Sequence, residues 1–70
     1  MKTIRLVAKD ISCQHCVMAI KRELAGAEDV RVLDIDLPSK VVTLEYSSQA
    51  ALERARSAMA EIGYPTEPEA

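Results

Sequence analysis

Along the chain the spacing of apolar positions switches between two and about 3.6, and each switch marks an element. The segment TIRLVAK alternates, with Ile4, Leu6 and Ala8 on one side and Thr3, Arg5, Val7 and Lys9 on the other. That pattern predicts a half-buried strand. From Cys16 to Leu24 the period lengthens. Val17, Ile20 and Leu24 share one helical face, Gln14, Met18, Lys21 and Arg22 point outward, and Gly26 offers a stop. VRVLDIDL returns to period two, with Leu33, Ile35 and Leu37 expected inward and Asp34 and Asp36 in solvent. The turn PSK leads to VVTLEY, with Val42, Leu44 and Tyr46 inward, so the two strands read as a hairpin. Ser47 or Ser48 can cap a second helix, whose stripe is Leu52, Ala55, Met59 and Ile62 and whose end is Gly63. The tail YPTEPEA is polar and contains Pro65 and Pro68, which limits it to a short, weak edge strand.

Strand, helix, strand, strand, helix and weak strand is the split βαβ order. The predicted fold class is α+β, a ferredoxin-like βαββαβ sandwich with two helices on one face of an antiparallel sheet. No repeat, linker or low-complexity stretch interrupts it, so residues 1–70 read as a single domain.

Composition narrows the function classes. Hydrophobic residues make up 49% and charged residues 29%, too apolar for a disordered chain. With no Phe or Trp, the core must be built from Val, Ile, Leu, Ala and Met. A net charge of −2 and few aromatic side chains argue against nucleic acid as a partner. No apolar run approaches the ~20 residues of a membrane span. The start MKTIRLVAKD lacks the apolar centre of a signal peptide, so a cytoplasmic location is expected. There thiols stay reduced, and a close cysteine pair points to metal binding or catalysis rather than a structural disulfide.

That pair lies in DISCQHCV, residues 10 to 17, with Cys13 in the loop, Cys16 in the first helical turn and His15 between them. A helix N-terminus favours thiolate over thiol, which suits metal ligation and redox nucleophilicity equally. A thiol–disulfide oxidoreductase is one reading, because His in the third position of such a loop occurs in oxidising thiol enzymes. The element order and the length differ from their thioredoxin fold. A closed zinc site needs four ligands and typically two such pairs. A c-type haem needs His directly after the second cysteine, where Val17 stands. Two thiolates alone suit copper(I), which prefers sulfur and tolerates low coordination. An open two-sulfur site also leaves room for an incoming thiolate. By itself, a lone Cys-x-x-Cys also fits an incidental thiol pair in a small domain.

The surrounding sequence carries a resemblance. The SCQHCV loop, the segments VRVLDIDL and KVVTLEY, and AMAEIGYP at the end of the second helix resemble the heavy-metal-associated domain. That family includes bacterial copper chaperones and the N-terminal modules of copper-transporting P-type ATPases, and SCQHC is especially similar to the chaperones. The resemblance implies that Cys13 and Cys16 are the metal ligands and that Tyr64 sits close by, limiting solvent access. It places His15 beside the ligands, tuning their acidity. Ser12 stands where zinc- and cadmium-handling relatives tend to carry Asp, which favours copper(I), with zinc(II) or another soft metal as the alternative.

Two residues depart from the family's usual Gly-Met before the Ser. Ile11 is expected to replace the Met as a buried anchor. Asp10 either faces solvent, helps cap the helix, or brings a carboxylate near the metal and widens selectivity toward zinc. Met1, Met18 and Met59 are not expected to ligate. Lys21 and Arg22 form a basic outer face that suits an acidic docking partner. The implied protein is a metallochaperone and not an enzyme. It would pass copper(I) by thiolate exchange to a copper-transporting P-type ATPase or a copper-responsive regulator. It is expected to be monomeric without metal, with metal-bridged dimers allowed by the exposed thiols.

Overall fold

The computed structural model describes residues 2–68. Its elements are β1 (Lys2–Val7), α1 (Gln14–Ala25), β2 (Val30–Asp36), β3 (Val41–Tyr46), α2 (Gln49–Glu61) and β4 (Glu67–Pro68). The strands form one antiparallel sheet in the order β2-β3-β1-β4, with the two helices packed on it. This is the ferredoxin-like arrangement expected from the element order.

Register explains the core. Ile4 lies opposite Leu44 and Leu6 opposite Val42. Leu6, Ile11, Ile20, Val42, Leu44 and Met59 are fully buried in one cluster. Each such side chain contributes about 1.5–3 kcal/mol relative to staying in water. Ile11 belongs to that cluster although it lies in the loop, so the segment leading to the cysteines is anchored to the core.

Strand β2 departs from simple alternation. Val30, Val32 and Ile35 lie opposite Tyr46, Leu44 and Val42, and the register shifts between Val32 and Asp34. The shift leaves Leu33 as the extra residue of a β-bulge. Val30 and Val32 therefore take the inward positions before the bulge, and Ile35 takes the one after it. Leu33, expected inward, is instead 47% exposed. A period-two reading from one end of a strand fails where a bulge changes its phase.

The helix ends follow their capping residues. Ser48 caps α2, its hydroxyl accepting from the Ala51 N–H at 3.2 Å. Gly63 follows α2 with φ 96°, the left-handed region where glycine costs least. There the Gly63 N–H donates to the Ala60 carbonyl at 3.1 Å and the Tyr64 N–H to the Met59 carbonyl at 2.8 Å, a Schellman motif. Gly26 also ends its helix, but with φ −82°, so any residue could adopt that backbone. Strand β4 is the short edge strand expected, pairing Glu67 with Val7 and Pro68 with Leu6. Residues 69 and 70 of the tail, and Met1, lie outside the described residues.

Candidate metal centre

The cysteine loop starts where β1 ends. Ala8 and Ile11 are both fully buried, and the Ile11 N–H donates to the Ala8 carbonyl at 3.2 Å. This turn returns the chain to the core before it rises through Ser12 to α1. Cys13 is the N-cap of that helix, with φ −156° and ψ 175°, and its side chain makes no capping hydrogen bond. Its carbonyl instead accepts from the N–H groups of Cys16 at 3.1 Å and Val17 at 3.3 Å. The exposed sulfur of Cys13 thus caps no helical N–H. No acidic residue occupies the first turn, so no carboxylate there competes for its partial positive charge.

The two thiols are free, Cys13 exposed and Cys16 buried, with their Sγ atoms 3.7 Å apart. One ion at a metal–thiolate distance of about 2.3 Å can bridge sulfurs so spaced. Several donors converge on Cys16. In order of effect, the Tyr64 hydroxyl and the Ser12 main-chain N–H lower its pKa, burial raises it, and the main chain and side chain of Cys13 lower it again. The net result is a pKa of about 6, against an ordinary value of 9.0. At neutral pH Cys16 is therefore a thiolate, the form that binds metals. The Tyr64 phenol is correspondingly pushed up, first because its proton is shared with the Cys16 sulfur.

Tyr64 is held from both sides. The Schellman bond from its own N–H fixes its backbone at the end of α2. Two residues on, Thr66 is tied to the same helix: Arg56 donates to its hydroxyl at 3.3 Å and to its carbonyl at 2.9 Å. The side chain packs against the core cluster.

The structure brings Cys13, Cys16, Ser12 and Tyr64 together. Ser12 acts on Cys16 through its main-chain N–H, a contribution the side-chain reading missed. For the Cys13 amide the signal was available in the spacing, since Cys16 is the third residue of a helix capped by Cys13, the position from which a capping-box side chain accepts the N-cap amide. His15 is exposed and is not among the groups that set the acidity of Cys16. Asp10 is exposed in the preceding turn. Among the described residues, no three His, Cys, Asp or Glu side chains gather into a group able to hold an ion. Neither Asp10 nor His15 therefore completes a larger donor set with the cysteines. Met18 is 55% exposed and Met59 is fully buried in the core. Lys21 and Arg22 lie exposed on α1, as expected. No helix among the described residues is long and apolar enough to cross a membrane.

Comparison with known proteins identifies the family. The sequence model of the heavy-metal-associated domain matches residues 6–65. A COP-associated protein of Helicobacter felis is 33% identical over 61 residues, covering 87% of this chain and 92% of that protein. The solved CopZ metallochaperone superposes with a TM-score of 0.81 at 25% identity, covering 94% of this chain and all of that one (100%). A copper-binding domain of the P-type ATPase HMA7 superposes with a TM-score of 0.81 at 15% identity, covering 100% of this chain and 96% of that domain. The last likeness is one of fold.

Proposed function

The chain belongs to the heavy-metal-associated domain family, and from that premise we propose that it is a copper(I) carrier using Cys13 and Cys16 as its ligands. The carrying observation is the asymmetric sulfur pair, one exposed, the other buried and held ionised, 3.7 Å apart, with no further His, Cys, Asp or Glu joining them into a larger donor group among the described residues. Two soft thiolates suit copper(I), and a two-sulfur site leaves coordination space for an incoming sulfur.

Transfer follows from the same asymmetry. A partner thiolate reaches the ion on the exposed side, at Cys13, and the metal is then shared between sulfurs of both proteins. As Cys16 lets go, the Tyr64 hydroxyl and the loop amides stabilise the thiolate left behind. Copper(I) keeps its oxidation state, and one metal–sulfur bond forms as another breaks. The fold similarity to a P-type ATPase domain and the identity to a COP-associated protein support a copper-transporting ATPase as recipient. The exposed Lys21 and Arg22 suit an acidic docking surface. A pair that must remain reduced to bind metal fits the cytoplasm.

The thiol-oxidoreductase reading is weaker. Disulfide exchange needs an accessible thiolate, whereas the acidified sulfur here is the buried one. The test is titration of the reduced protein with copper(I) against a strong chelator, with zinc(II) run beside it. Tight one-to-one copper binding, lost in Cys13→Ser and Cys16→Ser, is the expected outcome. Binding no tighter than that of a small dithiol overturns the proposal, and preference for zinc(II) reassigns the cargo.

A further inference from the structure

A conformational anomaly lies in the hairpin turn, residues 37–40, beside the cysteine loop. Lys40 has φ 60° and is the one non-glycine residue with positive φ among the described residues. Gly or Asn ordinarily occupies such a position, because Cβ crowds the carbonyl in left-handed backbone. A backbone of this kind persists where its surroundings over-determine it.

Here three bonds do so. The Lys40 N–H donates to the Leu37 carbonyl at 3.2 Å, closing the turn, and the Lys40 carbonyl accepts from the Ala8 N–H at 2.9 Å. The Lys40 Nζ donates to the Lys9 carbonyl at 3.0 Å. The last two bonds hold the point at which β1 ends and the cysteine loop begins. From there the bonding continues toward the site. The Ala8 carbonyl accepts from Ile11, and the main chain of Ser12 and Cys13, which follows directly, favours the Cys16 thiolate. Lys9 is held on its other side as well, its ammonium 3.6 Å from the Glu67 carboxylate on β4.

We propose that Lys40 is a positioning residue for the metal loop. Its ammonium clamps the Lys9 peptide, keeps the turn of residues 8–11 closed, and so governs how readily the sulfur pair opens to release its ion. A Gly in its place would suit the backbone better and would lack the clamp. That contrast separates the clamp from fold stability. The clamp is a property of the metal-free protein, and its effect on release rests on the carrier reading above.

Three variants decide the matter: Lys40→Met removes the donor, Lys40→Gly removes the donor and relieves the backbone, and Lys40→Arg keeps a donor. Hydrogen exchange on the reduced, metal-free protein reads the Ile11 and Ser12 amides. About threefold faster exchange is expected in Lys40→Met and Lys40→Gly, the scale of one weak hydrogen bond, with Lys40→Arg close to wild type. Lys40→Gly is expected to melt at or above the wild-type temperature, which a merely structural contact would not allow. Copper(I) release to a chelator is expected to accelerate several-fold in the same two variants. Unchanged Ile11 and Ser12 exchange overturns the clamp, and faster exchange with unchanged release overturns its role in delivery. A wild-type protein that binds no copper(I) refutes the carrier reading, while exchange in the metal-free protein still decides the clamp.

Discussion

Replacing Cys13 by Ser should stabilise the metal-free protein while abolishing its metal binding. The two helix starts supply an internal comparison. Ser48 caps α2 with φ −153° and ψ 162°, and its hydroxyl accepts from the third helical N–H. Cys13 begins α1 in nearly the same backbone conformation, φ −156° and ψ 175°, with no side-chain cap. A serine at position 13 would find the Cys16 N–H placed as Ser48 finds that of Ala51. A good N-cap contributes about 0.5–2 kcal/mol over a residue that does not cap. Because the Cys16 N–H already bonds the Cys13 carbonyl at 3.1 Å, the lower half of that range applies, about 0.5–1 kcal/mol. For a chain of 70 residues this is a rise in Tm of roughly 3–7 °C.

The assay is thermal unfolding followed by circular dichroism, at pH 7 with reductant and a metal chelator present. Ser48→Ala serves as calibration and should lose about 1 kcal/mol. The reasoning is refuted if Ser48→Ala falls as expected while Cys13→Ser melts at or below wild type. Confirmation would mean that helix α1 gives up a cap so that a sulfur can stand free at its N-terminus.

Tyr64→Phe removes the largest influence lowering the Cys16 pKa, so the pH midpoint of the Cys16 thiol, followed by NMR of its labelled Cβ, should move from about 6 up toward 9.0; an unmoved midpoint contradicts the assignment. The linkage sign follows from the same depression. Because the folded pKa lies below the ordinary 9.0, Cys16 contributes its full stabilisation above that pH and loses it as pH falls through about 6. Denaturant titrations across that window should show a smaller slope for Tyr64→Phe than for wild type. Leu33→Lys, at the exposed bulge, should change stability by no more than about 0.5 kcal/mol, whereas Leu44→Ala on the neighbouring strand should cost about 2–5 kcal/mol. Paired chemical denaturation curves check the contrast, and comparable losses would place Leu33 inside. Asp10→Asn should leave the ratio of copper(I) to zinc(II) affinity unchanged, since Asp10 forms no donor group with the cysteines; a shift of tenfold or more in competition titrations would bring its carboxylate to the metal.

The fold was legible because its elements announce themselves by period and punctuation. Val17, Ile20 and Leu24 mark the buried face of α1, and Gly63 marks a left-handed helix end that the structure uses as such. The errors arose where backbone geometry departs from the regular element. Leu33 alternates correctly with Ile35 in sequence, yet one unpaired residue reverses the phase. Nothing in the side-chain pattern distinguishes that strand from an unbulged one, because Val32 and Leu33 are both apolar. Only the requirement that Val30, Val32 and Ile35 all meet the inward residues of β3 decides it.

The site divides in the same way. The cysteine pair and the proximity of Tyr64 followed from the motif and the resemblance, which describe side chains. What sets the Cys16 thiolate includes the Ser12 and Cys13 amides, which any residue at those positions could supply. Their placement depends on Ile11 seating the loop, on the Ala8–Ile11 turn and on the helix start at Cys13. Ser12 therefore cannot be judged by its hydroxyl alone. Its amide would persist with Asp or Ala at position 12, and a substitution there tests the side chain's part in metal choice without removing that bond to Cys16. Asp10, the residue that departs most from the family pattern, lies exposed in that turn and forms no donor group with the cysteines. The geometry thus moves the question of selectivity away from added ligands and toward how rigidly the loop presents two sulfurs.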